Sequence, residues 1–309
     1  MYKITIFSPA TIANVSCAFD IMGFSLEGIG DEITFKKSKD PGIKIKMLNH
    51  TELSEIPSRN VAGVVAKAML EVVNPSYGIE IELLKGIKPG SGIGSSAASA
   101  AGAAYGMNLI LDKPFKINEL VEFAMLGEEL ASGVKHADNV APALMGGITL
   151  VRNHHPLDLI SLPVPENLSV SVLHPLIEVE TKKARKLLKE EVLLTDAVTQ
   201  WGNIAGLISG IFLSDFDLIG RSMQDVIVEP VRSILIPLFD TIKKTALNSG
   251  AIGCGISGSG PSVFAFSNGF ETGKKVSEAM ADVYKNSGVE YKIYTSGINK
   301  EGVKILDEI

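Results

Sequence analysis

Apolar and polar residues alternate over several short segments in the first half of the chain, and a period of two is typical of strands. The alternation predicts strands over residues 3–7, 31–37, 43–48, 78–84 and 147–151. Residues 61–73 are apolar almost all round and predict a buried helix, and the alanine-rich residues 95–111 predict a second helix. Residues 118–131 predict an amphipathic helix with Asn118 as its N-cap.

The second half of the chain is dominated by longer helical patterns. Helices are predicted over residues 181–194, 196–213, 215–227, 231–248 and 271–286, and strands over 168–173, 262–267 and 289–295. A proline-containing stretch, 152–167, separates the two halves, so we expect one domain over residues 1–165 and another over 166–309. Helices mixed with strands, without a repeat of fixed length, indicate the α+β class.

Composition and charge exclude several classes of function. The net charge of −6 argues against a general nucleic-acid-binding protein, which needs a basic surface. Cys17 and Cys254 lie far apart, so they predict neither a disulfide framework nor a zinc ribbon, and free thiols are typical of the cytoplasm. Since we find neither a signal peptide nor a long apolar run, we expect a cytoplasmic protein without a membrane partner.

Glycine is enriched, with 30 residues among 309, and the excess lies mainly in residues 90–94 and 253–260. The first of these loops stands between a predicted strand and a predicted helix. There, glycines and a helix N-terminus together direct backbone N–H groups at an anion such as phosphate, and Ser95 and Ser96 add hydroxyls. The loop is not a Walker A motif, because no Gly-Lys-[Ser/Thr] sequence follows it. A tight turn capped by serines is the alternative, and Gly92-x-Gly94-x-x-Ala97 leaves a nicotinamide site as another.

This loop resembles the ATP-phosphate loop P-x-x-x-G-[LI]-G-S-S-A of the GHMP kinases, except that the family proline falls on Lys88 and the chain has Pro89 instead. Three more segments are similar to motifs of the same family: residues 7–24, 136–143 and 253–264. Residues 136–143, H-A-D-N-V-A-P-A, have the form typical of the homoserine kinase branch. Because the motifs follow one another in family order, the chain is identified as similar to that branch.

The resemblance implies a two-domain α+β GHMP kinase fold, with an N-terminal half like domain 2 of ribosomal protein S5 and a ferredoxin-like C-terminal half. The implied activity is the ATP- and Mg²⁺-dependent phosphorylation of the side-chain hydroxyl of L-homoserine in threonine biosynthesis. GHMP kinases for mevalonate, shikimate or a sugar are alternatives, as is an inactive relative that senses a ligand. The oligomeric state stays open, with a homodimer among the alternatives.

The resemblance also implies site residues. Those expected to bind ATP are Asn60, Lys88, Pro89, Gly90, Ser91, Gly92, Ile93, Gly94, Ser95, Ser96, Ala97 and Ala98. Those expected to bind the substrate are Asn14, Asp20, His136, Asn139, Arg185, Arg232 and Gly260. Ser96 and Glu128 are expected to bind the metal, and the catalytic residues are expected to be Asn139, Asp138 and Thr181.

Residue chemistry supports some of these roles and leaves others open. Within helix 118–131, Glu128 shares a face with apolar residues, whereas Glu129 points about 100° away. An inward carboxylate needs a cation or a hydrogen-bond donor, so Glu128 is either a Mg²⁺ ligand or is satisfied by a backbone N–H. Asn60 precedes helix 61–73, where it is a natural N-cap as well as a candidate contact for adenine.

Arginine suits a substrate carboxylate because its planar fork binds it in bidentate fashion. Arg232 follows a proline at a turn or helix start, whereas Arg185 lies in a basic run that also fits a solvated face. Thr181 either contacts the transferred phosphate or caps its helix. The resemblance implies that Asn139 orients the substrate hydroxyl and that Asp138 is structural, with a general base as the alternative for Asp138. Phosphoryl transfer permits catalysis without a base because it needs little covalent chemistry.

Overall fold

The computed structural model describes residues 2–309 and contains two β-sheets. The strands are β1 (Lys3–Ala13), β2 (Met22–Ser38), β3 (Ile43–Met47), β4 (Gly78–Leu84), β5 (Ile148–His154), β6 (Leu157–Leu162), β7 (Leu168–Pro175), β8 (Gly253–Ile256), β9 (Val263–Asn268), β10 (Tyr291–Ser296) and β11 (Lys304–Glu308). The α-helices are α1 (Val61–Val73), α2 (Ser95–Ile110), α3 (Ile117–Ser132), α4 (Val140–Met145), α5 (Thr181–Lys186), α6 (Leu194–Leu213), α7 (Phe216–Ser222), α8 (Glu229–Arg232), α9 (Phe239–Asn248) and α10 (Phe270–Tyr284).

The first sheet has the order β11-β1-β2-β4-β3, and β5 pairs with β2 and carries β6 at its other edge. The side chains of its inner face pack against α1 to α4 in an alanine-rich core, which lets α2 lie close to the strands. The closest approach is at Gly106, where a Cβ would lie 2.0 Å from the ring of Phe35. The buried central position of α2 fixes its N-terminus, which begins the glycine-rich site.

The second sheet has the order β10-β7-β9-β8, and all its strand pairs are antiparallel. If the strands β7 to β10 are numbered 1 to 4 in chain order, this order is 4-1-3-2, which is the ferredoxin-like order expected from the resemblance. One face packs against α9 and α10. The other packs against the first sheet through the aromatic cluster of Phe24, Phe264 and Phe266. The two sheets therefore share a core.

Several predicted elements differ in extent. The helix predicted over 181–194 ends at Lys186, and the one over 215–227 ends at Ser222. The helix predicted over 231–248 is divided, because Pro237 has no N–H to continue it: α8 is followed by a 3₁₀ turn and then α9. Helix α3 begins at Ile117, and the Lys116 N–H donates to Glu119 at 2.8 Å, so the N-cap prediction for Asn118 is wrong.

Strands β6, β8 and β11 were not predicted from the sequence. Strand β11 lies near the C-terminus but pairs with β1 in the first sheet, while the strands of the second sheet all fall between residues 168 and 296. The division at residues 165 and 166 stays a prediction. Within residues 2–309, no helix is both long and apolar enough to cross a membrane.

Candidate active site

A cavity of about 580 Å³ lies between the glycine-rich loop, the C-terminal end of α3 and the segments around α5 and α8. Many of the predicted site residues line it: Asn14, Asp20, Asn60, Pro89, Gly90, Ser91, Gly92, Gly94, Ser95, Ser96, Glu128, His136, Asp138, Asn139, Thr181, Arg185 and Arg232. The fold therefore brings together residues that are distributed over more than 200 positions of the chain.

Five predicted site residues do not line the cavity. The side chains of Ile93, Ala97 and Ala98 are buried in the core, and that of Lys88 is exposed outside the cavity. Gly260 lies behind the glycine-rich loop, since a Cβ on Gly92 would be 2.5 Å from the carbonyl oxygen of Gly260. The side chains of these residues shape or flank the loop and do not face the cavity.

The glycine-rich loop leads from β4 into the N-terminus of α2. Gly94 precedes the helix at φ +69°, and a Cβ there would lie 2.0 Å from Thr11 Oγ1. The first N–H groups of α2 have no acceptor within the helix, so they are available to an anion in the cavity. The Ser95 hydroxyl donates to the Ile87 carbonyl at 2.9 Å, whereas Ser96 lies beside Glu128. Of the two hydroxyls, that of Ser96 is the one directed at the site.

The second glycine loop holds the first in place. The Ser257 hydroxyl donates to the Gly92 carbonyl at 2.7 Å, and the Ser262 hydroxyl donates to the Ser91 carbonyl at 2.6 Å. Both carbonyls of the first loop are thereby paired with hydroxyls of the C-terminal motif. The C-terminal motif thus supports the phosphate-type loop from behind.

A buried ion pair beneath the loop was not predicted from the sequence. The Lys85 ammonium pairs with Asp31 and also donates to the Ser95 carbonyl and the Ser99 hydroxyl, both at 2.8 Å. Asp31 accepts a further hydrogen bond from the Gly86 N–H at 3.0 Å. Burial lowers the pKa of Lys85, and the negative charge of Asp31 opposes that shift. The pair connects β2 and β4 to the first turn of α2.

Replacing Lys85 by methionine is expected to lower the free energy of unfolding by about 3–5 kcal/mol, because Asp31 would remain buried without a cation. Lys36→Met is the matched control: Lys36 pairs with Glu82 at 2.9 Å across the same two strands, but that pair is partly exposed and should contribute less than about 1 kcal/mol. Urea unfolding of both variants measures the difference. Equal losses in the two variants would show that the buried pair has no special role.

Glu128 occupies the inner face of α3, and only 6% of it is exposed. Its Oε1 has no hydrogen-bond partner among the described residues. Burial raises the pKa of Glu128, while the Ser96 hydroxyl and the charge of Lys85 act in the opposite direction. Glu129 is exposed and lies 3.7 Å from Lys135, so the predicted contrast between the two glutamates is confirmed. The alternative of a backbone N–H partner for Oε1 is wrong.

The other end of the cavity contains paired charges. Arg185 donates through Nη2 to both carboxylate oxygens of Asp20, at 2.8 and 2.6 Å. Burial lowers the pKa of His136, so its ring is neutral at pH 7, and Nε2 accepts from Arg185 at 3.0 Å. The alternative of a solvated basic face for Arg185 is therefore wrong.

Arg232 is buried, with 3% exposed, and has no acidic residue in a salt bridge within residues 2–309. Its Nη1 donates to the Gly258 carbonyl at 3.2 Å, and its Nε has no partner among the described residues. Phe19 was not predicted as a site residue, but the centroid of its ring lies 4.9 Å from the Arg232 guanidinium and 5.4 Å from that of Arg185. The aromatic ring therefore attracts both of these like charges.

Asp20 and Asn14 lie on a loop that follows β1. Asn14 has a left-handed φ of 71°, and Asp20 one of 62°, which is uncommon for residues other than glycine. Asn14 holds this conformation by donating to the Gly258 carbonyl at 2.7 Å and accepting from the Asp20 N–H at 3.0 Å. Gln200 of α6 donates to the Cys17 carbonyl of the same loop. Such held strain is typical of functional sites.

Between the two ends lie Asp138 and Asn139. Asn139 Oδ1 accepts from Thr11 Oγ1 at 2.7 Å. Burial, together with the charges of Asp20 and Glu128, raises the pKa of Asp138 to about 8. Thr181 is the first residue of α5, with Glu180 as the N-cap, and its hydroxyl lies 3.2 Å from that of Ser259. The alternative in which Thr181 caps its helix is therefore wrong.

Asn60 fulfils its predicted role as an N-cap. Its side-chain oxygen accepts from the N–H groups of Ala62 and Gly63 at 3.0 and 3.3 Å, and its amide donates to the Ser54 carbonyl at 2.8 Å. Around it, Met47, Leu53 and Leu83 supply an apolar wall to the cavity. This end of the cavity suits a flat, largely apolar group.

The chain matches two family models, one in each half. Residues 60–147 match the family model described as the GHMP kinases N terminal domain, and residues 207–286 match that of the GHMP kinases C terminal. The homoserine kinase of Chlorobium phaeobacteroides (strain BS1) is 42% identical over 99% of this chain and 100% of its own. The homoserine kinase of Methanococcus vannielii is 43% identical over 86% of this chain and 88% of its own.

A solved structure shows the same architecture. The homoserine kinase from Cytophaga hutchinsonii superposes with a TM-score of 0.95, at 46% identity, over 98% of this chain and 97% of that one. The similarity extends through both sheets and both glycine loops, because so little of either chain lies outside it.

Proposed function

The chain belongs to the GHMP kinase family, and within that family we infer that it is a homoserine kinase: it transfers the γ-phosphoryl group of ATP to the side-chain hydroxyl of L-homoserine. The product, O-phospho-L-homoserine, leads to threonine. The observation that carries the substrate assignment is that one cavity is lined both by Arg232, a buried arginine that forms no salt bridge within residues 2–309, and by the carboxylate of Asp20.

A free amino acid carries an ammonium and a carboxylate on one carbon, and this end of the cavity offers a partner for each. Arg232 would bind the carboxylate, since its Nε has no partner among the residues described. Asp20 would bind the ammonium, with Asn14 holding its loop. Arg185 would then give up one of its hydrogen bonds to Asp20 and donate to the substrate instead. His136, whose pKa is lowered by burial, would contact the substrate as a neutral ring.

The nucleotide would occupy the other end. The apolar wall beside Asn60 suits the adenine ring, and the first turn of α2 suits the phosphates. The side-chain oxygen of Asn60 caps α1 and its amide nitrogen donates to the Ser54 carbonyl, so Asn60 would contact adenine through van der Waals packing. Backbone N–H groups of the glycine loop, and no Walker lysine, would therefore bind the phosphates.

Mg²⁺ fits the pair formed by Ser96 and Glu128. An unpartnered, buried carboxylate oxygen beside a hydroxyl is a hard-oxygen donor set, and phosphate oxygens would complete the coordination. Within residues 2–309 there is no group of three or more His, Cys, Asp or Glu side chains able to hold a metal, so the chain alone supplies only part of a coordination shell. When bound, the ion neutralises charge on the phosphates.

Catalysis would rest on positioning. Asn139, fixed by Thr11, would orient the substrate hydroxyl toward the phosphate, and Thr181, which also lines the cavity, would contact the transferred group. Burial and the charges of Asp20 and Glu128 raise the pKa of Asp138, so the environment disfavours the carboxylate form that a general base needs. This supports a structural Asp138 and a loose transition state in which the hydroxyl loses its proton late.

A substrate panel tests the assignment. We expect ATP consumption with L-homoserine, and at least about 100-fold lower kcat/KM with 3-aminopropan-1-ol, which lacks the carboxylate, or with 4-hydroxybutyrate, which lacks the ammonium, because each loses one of the two charged contacts. Mevalonate, shikimate and galactose should give only background rates. Faster turnover of any of these three than of homoserine would overturn the assignment. A thermal shift with NAD but none with Mg-ATP would revive the nicotinamide alternative.

Cytoplasmic localisation remains a proposal. Its support is that Cys17 and Cys254 are both free and buried, which suits a reducing compartment.

A further inference from the structure

The transferred phosphoryl group needs a positive charge that the glycine-rich loop does not supply. During phosphoryl transfer, negative charge is spread over the oxygens of the moving group, and kinases place a lysine or arginine beside them as well as a metal ion. Backbone N–H groups at the start of α2 carry only partial charges. Because no Walker lysine follows the loop, a cationic side chain would have to come from another part of the cavity.

Most of the cations around the cavity already have another role. The lysine and arginine side chains that line it are Arg59, Lys85, Lys182, Arg185 and Arg232. Lys85 and Arg185 form salt bridges with aspartates, and Arg232 stands in the proposed carboxylate site. Arg59 immediately precedes Asn60, so it belongs to the apolar end proposed for adenine. Lys182 is left without a role.

Lys182 lies beside Thr181 in the first turn of α5, and both residues line the cavity. Over residues 2–309, its ammonium takes part in no salt bridge and no hydrogen bond. The carboxylate of Glu180 does not neutralise it, since Glu180 pairs with Lys183 at 2.5 Å. An ammonium that the protein leaves unpaired at a cavity wall is available to an anion.

Gly133 fixes where this ammonium lies. Gly133 is the C-cap of α3, and a Cβ there would lie 3.2 Å from Lys182 Cε and 3.9 Å from Lys182 Nζ. The lysine side chain therefore crosses the end of α3, where the partial negative charge of the helix C-terminus attracts it. The same helix carries Glu128, and Ser132 of its last turn also lines the cavity. Lys182 thus connects the helix that carries the proposed metal ligand with the helix that carries Thr181.

We propose that Lys182 binds the phosphoryl group while it passes from ATP to the acceptor. The acceptor oxygen forms a bond to the γ-phosphorus, and the bond from that phosphorus to the bridging oxygen breaks with its electron pair remaining on ADP. The hydroxyl proton is released to water, and Lys182 keeps its own proton throughout. The ammonium offsets the charge that spreads over the transferred oxygens. The inference rests on the proposed function, because it requires a phosphoryl group to be transferred.

Removing the charge is expected to slow the chemical step. Lys182→Met should lower the single-turnover rate with ATP and L-homoserine by about 100-fold and leave KM for homoserine within about twofold. Lys182→Arg keeps the charge and should retain at least about a tenth of the wild-type rate. Lys186→Met is the matched control: Lys186 belongs to the same helix and is also exposed, but it does not line the cavity, so its variant should keep the wild-type rate.

Binding of the product distinguishes a contact with the phosphoryl group from general damage to the site. O-phospho-L-homoserine carries the transferred group, so its inhibition constant should rise by about 10-fold in K182M. ADP and homoserine lack that group, and their dissociation constants should stay within about twofold of the wild-type values. Since Lys182 is exposed, K182M and K186M should unfold at the same temperature as the wild-type protein.

A single-turnover rate in K182M within about threefold of wild type, or an equal loss in K186M, would overturn the proposal. So would a slower K182M whose affinity for O-phospho-L-homoserine is unchanged, or a K182R variant as slow as K182M. Failure of the substrate assignment is a separate result, because the wild-type protein would then turn over another acceptor faster than homoserine. The same variants would be compared with that acceptor and its phosphorylated product, so the role of Lys182 is tested in either case.

Discussion

Glu128→Gln is expected to lower kcat by about 1000-fold, which corresponds to about 4 kcal/mol of lost transition-state stabilisation. The amide keeps the shape of the side chain but removes the charge that Oε1 directs at the site. Burial raises the pKa of Glu128, which means that its negative charge destabilises the folded state. Removing the charge should therefore not lower the free energy of unfolding. Loss of activity without loss of stability is the signature of a ligand-binding carboxylate.

The matched control is Glu129→Gln, one position along the same helix. Glu129 is exposed and lies 3.7 Å from Lys135, so its variant should stay within about twofold of the wild-type kcat. Steady-state rates over a range of Mg²⁺ concentrations, together with urea unfolding, separate the two positions. If E128Q kept wild-type rates at low Mg²⁺, the metal role of Glu128 would be wrong; if it unfolded more readily than E129Q, its role would be structural.

The contrast between these glutamates could be predicted because it depends only on helical geometry, which local sequence determines. The same holds for the N-cap at Asn60 and for the glycine-rich turn into α2. The order of the second sheet, 4-1-3-2, followed instead from the resemblance to a family. Local pattern and family motif together therefore accounted for many of the residues that line the cavity.

The residues that were missed act across the fold. Lys85 and Asp31 are 54 positions apart and meet because β2 and β4 pair with Glu32 opposite Leu84. Phe19 stands within a recognised motif, but its contact with two arginines depends on α5 and α8. Strand β11 joins the first sheet from the far end of the chain. No local period encodes such pairings, since each is decided by tertiary packing.

Arg232→Lys is expected to lower kcat/KM for L-homoserine by about 100-fold, chiefly through KM, and to leave KM for ATP unchanged. Lysine keeps the positive charge but loses the planar fork, so it cannot bind a carboxylate through two parallel hydrogen bonds. Its loss of contact with the Phe19 ring is a smaller contribution. Arg152→Lys is the control, because Arg152 is exposed and pairs with Asp158 outside the cavity.

The analogue 3-aminopropan-1-ol separates recognition of the carboxylate from general damage to the site. It lacks the carboxylate, so the wild-type enzyme should use it poorly, with the Arg232 guanidinium left unpaired. In R232K the preference for homoserine over this analogue should fall by about the factor lost in kcat/KM, since the residue that enforces it is gone. A variant slowed equally toward both alcohols would place Arg232 in the support of the Gly258 loop, which its Nη1 contacts at 3.2 Å, and not in substrate binding.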